Sequence, residues 1–168
     1  HYNSPAQPAQ QKVQHLQIAR SLFTEAAEKG HVQAAKLMAK MWENGEGGRQ
    51  NYDEAEKFYL QATNLGDLQS IYDLEMLYKK TGQHGKRFDL YQELANAGKS
   101  SAQIALGNLY LEGVQEKGID PNTDEAIEWY AKAAAQGDIK GEFFLGRIYF
   151  KLRNYDEAAK YFKQINDN

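Results

Sequence analysis

The sequence predicts an all-α solenoid: four antiparallel helix pairs in succession, followed by a terminal helix. Three observations carry the prediction. Four glycines, Gly30, Gly66, Gly98 and Gly137, recur at spacings of 36, 32 and 39 residues, inside the range of helix-pair repeats. Apolar residues on both sides of each glycine follow a helical period. The pentapeptide Asn-Tyr-Asp-Glu-Ala occurs at 51–55 and 154–158, with the near copy Asn-Thr-Asp-Glu-Ala at 122–126. Each copy stands at the head of a periodic stretch.

Residues 1–14 come first. HYNSPAQPAQQ is rich in Pro and Gln and has no apolar period, so this segment reads as a linker or disordered lead-in. The repeat array is placed at 15–168.

The first helix of each pair (helix A) lies upstream of its glycine. Eleven residues before the glycines stand Ala19, Ala55, Arg87 and Ala126. Eight before are Leu22, Phe58, Leu90 and Trp129, and seven before are Phe23, Tyr59, Tyr91 and Tyr130. Four before are Ala26, Ala62, Leu94 and Ala133. These offsets run i, i+3, i+4, i+7, one face of a helix. Glycine then ends helix A, because the left-handed backbone that closes a helix costs nothing without a Cβ.

Helix B restarts the pattern downstream. Ala34, Ser70, Ala102 and Gly141 lie four residues after the glycines. Met38, Leu74, Leu106 and Leu145 lie eight after, and Met41, Leu77, Leu109 and Ile148 eleven after. Trp42, Tyr78, Tyr110 and Tyr149 lie twelve after. The intervening turn is too short for anything but an antiparallel pair. A fifth helix A is expected at 157–165, with Ala158, Tyr161, Phe162 and Ile165 in register. The eleven tyrosines mostly fall on core offsets, which predicts buried rings with hydroxyls at the rim.

The recurring pentapeptide has a capping role. Asn51, Asn122 and Asn154 are placed as N-caps, with Glu54, Glu125 and Glu157 three residues on, as a capping box requires. Asp53, Asp124 and Asp156 add negative charge at the positive end of the helix dipole. The lead-in TGQHGKRFD before Arg87 lacks this signature.

The second helix pair, around Gly66, and the start of the third are irregular. Glu75 replaces the small residue found as Ala39, Gly107 and Gly146. Asp73 replaces Leu37, Ala105 and Phe144, and Arg87 replaces the opening Ala. A carboxylate cannot sit dry and unpaired at a tight helix contact. Two readings follow for these positions: locally loosened packing with Glu75 reaching solvent, or a bend or acidic feature used by a partner.

Chemistry-bearing patterns are scarce. With no cysteine, disulfides and thiolate metal sites are excluded. The four histidines show no metal-ligand spacing, and no metal or other cofactor is expected. The motifs G-x-S-x-G, H-E-x-x-H and the phosphate loop are missing. GEGG at 45–48 reads as a flexible inter-repeat turn, and DPNTD at 120–124 as the lead into a helix. Net charge is −3 with Lys and Arg dispersed, so nucleic acid is not an expected partner. No apolar run approaches the ~18 residues of a membrane span. The chain begins at His, which points to an excised segment or a mature form.

The unit A-x-x-[LFW]-[FY]-x-x-A-A-x-x-G, then A-x-x-x-L-G-x-x-Y-x-x-G, resembles the Sel-one-like repeat, a relative of the tetratricopeptide repeat. AIEWYAKAAAQGD (126–138) with KGEFFLGRIYF (140–150), and SAQIALGNLYLEG (101–113), carry the resemblance best, and it extends over about 16–168. It implies a right-handed α-solenoid whose concave face is lined largely by A helices. It also implies an adaptor or assembly scaffold, often bacterial, in envelope complexes, signalling or host contact. Some relatives staple each unit with a Cys pair; this chain is of the Cys-free kind.

Function in such an array lies on positions that its own packing does not need. On the A helices Leu60, Phe88 and Ile127 stand out as apolar residues at non-core offsets, forming a candidate strip. Gln61, Asn64, Gln92, Asn96 and Ala131 lie beside it, and the amides suit hydrogen bonding to a peptide backbone. The alternative for the strip is packing between repeats. The expected function is therefore non-catalytic binding of a protein or peptide, on the concave face, by a monomeric array within a longer bacterial chain, one active in virulence or envelope assembly. Periplasmic or extracellular placement is expected ahead of cytoplasmic. Two other readings remain open: a cell-wall-fragment or glycan-binding or hydrolytic module, and a structural spacer.

Overall fold

The computed structural model describes residues 6–167. Among them nine α-helices follow one another: α1 (Ala6–Glu28), α2 (Val32–Asn44), α3 (Tyr52–Asn64), α4 (Leu68–Thr81), α5 (His84–Asn96), α6 (Ser100–Glu112), α7 (Thr123–Ala134), α8 (Ile139–Lys151) and α9 (Tyr155–Asp167). The odd-numbered helices are the A helices and the even-numbered ones the B helices. Successive helices from α1 to α4, and again from α5 to α9, pack as neighbours, and the fold is the all-α solenoid of helix pairs that the repeat pattern predicts. The chain divides into two compact units, the first ending at Gly82 and the second starting at Gln83. That boundary falls inside the lead-in that breaks the repeat pattern.

Residues 6–14, within the stretch expected as a linker or disordered lead-in, are the first turns of α1; residues 1–5 of that stretch lie outside the described residues. Pro8 sits near the start of α1, where a missing N–H breaks no helical bond.

The glycine turns are uniform. Gly30, Gly66, Gly98 and Gly137 have φ of 85°, 93°, 83° and 79°. At each, the N–H of the next residue reaches back to the carbonyl of Ala26, Ala62, Leu94 or Ala133, at 3.0–3.2 Å. This is the Schellman closure, which satisfies carbonyls that the helix end would leave unpaired.

The B-helix register holds in every pair. All residues four, eight and eleven after the glycines are buried. The A-helix register holds in α3 (Ala55, Phe58, Tyr59, Ala62) and α7 (Ala126, Trp129, Tyr130, Ala133). Among the described residues no helix packs before α1, and its Leu22 is 60% exposed.

Helix α5 departs. Its buried residues are Gly85, Phe88, Tyr91 and Ala95, so Phe88 is a core residue and not part of an exposed strip. It is 3% exposed, meets Tyr110 edge-on at 5.5 Å, and clusters with Leu106, Leu109, Val114 and Trp129. A guanidinium at position 87 cannot fill a small apolar slot. The helix face centres on Phe88 instead and leaves Arg87 at its flank.

The caps are as expected on one arm only. The Asn51 side chain accepts from the Asp53 and Glu54 N–H groups at 2.9 and 3.1 Å, Asn122 from Glu125 at 3.1 Å, and Asn154 from Glu157 at 3.3 Å. The return bond of a capping box needs the N-cap N–H, which is already used. Asn51, Asn122 and Asn154 donate it to the carbonyls of Trp42, Tyr110 and Tyr149, the aromatic residues near the end of the preceding B helix. Each pentapeptide thus ties one helix pair to the next.

Helix α5 has no side-chain cap from Gln83. Glu116 supplies it from the loop after α6, accepting from the N–H of His84 at 3.2 Å and from that of Gly85. Lys117 in the same short turn pairs with Asp89 at 2.6 Å. The longest glycine spacing, 39 residues, therefore contains a loop that braces the start of α5.

Candidate partner-binding face

Helix α3 is the best-defined A helix outside the core. Asn51 starts it, Asp53 and Glu54 complement its dipole, and Ala55, Phe58, Tyr59 and Ala62 bury one face. Tyr59 is 2% exposed and donates its hydroxyl to Glu43 at 2.9 Å. Burial first, then that bond, pushes its ionisation above the ordinary phenol value. Lys80 closes the group on the other carboxylate oxygen of Glu43 at 3.0 Å. The orientation of α3 is thus fixed from α2 and α4.

The opposite face of α3 lines an open hollow of about 510 Å³, formed by Asp53, Glu56, Lys57, Leu60, Gln61, Asn64 and Leu65. Leu60 and Leu65 are 38% and 43% exposed. The Gln61 amide N–H is committed to the Ala27 carbonyl at 2.7 Å, and Glu56 accepts the Tyr78 hydroxyl at 3.0 Å. Asn64 is exposed. The hollow pairs a small apolar centre with a polar rim. That suits an extended polypeptide segment: a side chain on Leu60 and backbone bonds to the rim.

Of the residues singled out in the sequence, Leu60, Gln61 and Asn64 are brought together here. The others are not gathered into one site. Phe88 is in the core. Ile127 is half-buried against the α7–α8 core, Gln92 is half-buried, and Asn96 and Ala131 are exposed on α5 and α7. A continuous apolar strip of Leu60, Phe88 and Ile127 therefore does not form.

The irregular positions resolve individually. Glu75 pairs with Lys79, one turn on, at 2.8 Å, and its side chain is only 15% exposed. Asp73 is half-buried, and one of its carboxylate oxygens has no hydrogen-bond partner. Arg87 is half-buried.

Why small residues stand nine after the glycine is visible in the second unit. A Cβ on Gly107 would lie 2.6 Å from the Tyr130 ring, and one on Gly146 would lie 2.9 Å from the Phe162 ring. Each glycine seats an aromatic residue of the next A helix. Tyr130 is fully buried, donates to Asn108 at 2.6 Å and stacks on Phe144 at 5.0 Å; burial pushes its ionisation up to about 12.

The sequence did not single out the Glu116 brace or a hollow between α6 and α8, lined by Asn108, Leu111, Phe144, Arg147, Ile148 and Lys151. The spacing of 39 was a signal for the first. Two cations four apart on a B helix were a signal for the second. GEGG is also more than a flexible turn, since a Cβ on Gly47 would lie 2.7 Å from the Leu16 carbonyl.

Among the described residues no group of three or more His, Asp or Glu could hold a metal, and no helix is long and apolar enough to cross a membrane.

The Sel1 repeat family model matches residues 13–31, 32–67 and 100–138. The chain belongs to the Sel1 repeat family. A tetratricopeptide repeat model matches residues 143–166 of this Sel1 chain. Residues 68–99 lie outside both matches, and they carry Asp73, Glu75 and the start of α5 that Glu116 caps from outside the helix.

Among relatives, the chain is 33% identical over 127 residues to the chitin synthase regulator SKT5 of Saccharomyces cerevisiae, covering 71% of this chain and 18% of that protein. It is 31% identical over 162 residues to human protein sel-1 homolog 2, covering 91% of this chain and 22% of that one. The chain thus spans about a fifth of the length of these relatives.

Among solved structures it is similar to c5321, a protective antigen of uropathogenic Escherichia coli strains with an SLR fold. The TM-score is 0.59 at 26% identity, covering 90% of this chain and 34% of that one. A Sel1 repeat protein from Oxalobacter formigenes gives a TM-score of 0.56 at 26% identity, covering 88% and 63%. Family, fold and these relatives make the chain a Sel1/TPR-type protein–protein interaction repeat module.

Proposed function

We propose that this module is a non-catalytic scaffold segment that binds a partner protein on the concave face lined by its A helices, with the α3 face around Leu60 as the principal contact. One observation carries this reading: Leu60 is the apolar residue of α3 left out of the core, and it sits at the centre of the 510 Å³ hollow with a rim of hydrogen-bonding side chains. Every other apolar residue of that helix is committed to packing or half-buried. The partner's contribution is an extended segment with an apolar side chain for Leu60. Asn64 and the free capacity of Gln61 then bond its backbone.

The same proposal places the module in a longer bacterial protein of the envelope or of host contact, in the periplasm or outside the cell. Two of the solved structures it resembles are bacterial, which supports a bacterial source. Fractionation of cells producing the parent protein tests it, and recovery in the cytosol alone overturns it.

The binding claim is tested by affinity capture with the wild-type chain and with Leu60→Glu. Discrete partners captured by the first and lost by the second support it. Equal capture by both moves the contact off α3.

A further inference from the structure

The second unit carries a surface that neither the repeat packing nor the α3 reading uses. Arg147 and Lys151 stand one turn apart on α8, both exposed, and neither has an ion-pair partner among the described residues. On α9, Glu157 is paired with Lys160 at 3.5 Å. The Arg147 guanidinium lies 5.7 Å from the ring centroids of both Phe143 and Phe144, so aromatic faces hold it in a defined place.

Two hollows meet at this pair of cations. One, of about 110 Å³, lies between α6 and α8 and is floored by Leu111, Phe144 and Ile148. The other, of about 300 Å³, lies between α8 and α9 and is walled by Phe150 and Phe162. Leu111 is 38% and Phe150 59% exposed. A double positive charge, with Arg147 held by aromatic faces, therefore separates two apolar seats.

We propose that this ridge docks an acidic segment of a partner protein, in which a carboxylate side chain is flanked by apolar side chains. The carboxylate takes the Arg147–Lys151 pair, where Arg offers two parallel donors. The flanking side chains fill the two hollows. Complementarity of charge selects the segment, because a free inorganic anion would leave both apolar seats open and a neutral segment would leave the cations unpaired. The site lies on a B helix of the other unit and stands independently of the α3 reading.

The test uses the whole chain and three fluorescein-labelled peptides: Gly-Leu-Glu-Phe-Gly, its Gln counterpart and its Lys counterpart, read by fluorescence polarisation. The Glu peptide is expected to bind, with its affinity falling several-fold between about 50 and 300 mM salt as screening shortens the reach of the charges. Binding weakens at least about tenfold in the Arg147→Gln/Lys151→Gln double variant, and by a similar factor for the Gln peptide. Phe150→Ser weakens it without altering the circular dichroism, and Leu60→Glu leaves it unchanged. The Lys peptide does not bind. The proposal is overturned by any of three results: no binding of the Glu peptide up to about 1 mM, binding undiminished in the double variant, or equal binding of the Gln peptide.

Discussion

Gly107→Ala probes how one helix pair seats the next. The new methyl would stand 2.6 Å from Cε1 of Tyr130 and 2.9 Å from Cδ1, whereas carbon atoms rest about 3.5–4.0 Å apart. About 1 Å of relief is needed. Tyr130 cannot give it cheaply: its ring is fully buried, stacked on Phe144 and tied to Asn108. Overpacking of this kind costs about 1–3 kcal/mol. Alanine returns up to about 1 kcal/mol through its helix propensity. With the full return, the net expectation is a loss of up to about 2 kcal/mol.

The assay is urea unfolding followed by Trp129 fluorescence in a Trp42→Phe background, so that the second unit is reported alone. Tyr130→Leu then removes the ring. In that background Gly107→Ala becomes neutral or stabilising, and the cycle shows a coupling of about 0.5–3 kcal/mol. Stabilisation by Gly107→Ala in both backgrounds would refute the reasoning, because the ring would then not be seated on the glycine.

Four further outcomes are expected. Glu116→Ala removes the two acceptors at the start of α5 and lowers the stability of the second unit by about 1–3 kcal/mol, while Glu116→Gln recovers part of it; equal losses would show the bonds to be incidental. Phe88→Ala costs about 3–5 kcal/mol in the same unfolding assay, whereas Leu60→Ala stays within about 0.5 kcal/mol; the reverse order would restore Phe88 to the surface. Asn122→Ala costs about 1 kcal/mol, measured as a fall in the urea midpoint.

The fourth concerns acid. Burial opposes the ionisation of Asp67, but bonds from the Ser70 hydroxyl, Lys36 and the Ser70 N–H outweigh it and hold its carboxyl below the usual range. A depressed folded-state value means stability that is present above the unfolded carboxyl value, near about 4, and is lost as pH falls through the folded one. The melting-temperature gap between wild type and Asp67→Asn is therefore largest near neutrality and closes in acid. A gap independent of pH would contradict this.

The helix pairs were legible because their causes are local. A glycine in the left-handed region, an Asn three residues ahead of a Glu, and an apolar face at 3.6-residue spacing each act within one or two turns. That is why all four glycine turns, all three Asn caps and the whole B-helix register follow from sequence. Phe88 shows where the reasoning runs out. The spacing from Gly98 puts Phe88 off the core face, but the face α5 buries is decided by what it meets, including a loop about thirty residues downstream that supplies Glu116. The capping box failed for a related reason, since the carbonyls of Trp42, Tyr110 and Tyr149 compete for the N-cap N–H from another helix. At the candidate site, Leu60, Gln61 and Asn64 were legible as one helix face. The Arg147–Lys151 ridge was not, because its hollows are made by α6 and α9 as much as by α8.

The central claim is that this Sel1 module holds a partner on its concave face, at α3. Its most direct measurement is site-specific photocrosslinking in cells producing the parent protein, with the photoreactive residue at position 60 and, as a control, at the exposed position 22 on α1. The account predicts a discrete adduct from position 60 that disappears when Asn64→Lys is added. No adduct at position 60, or the same adducts from both positions, would contradict it.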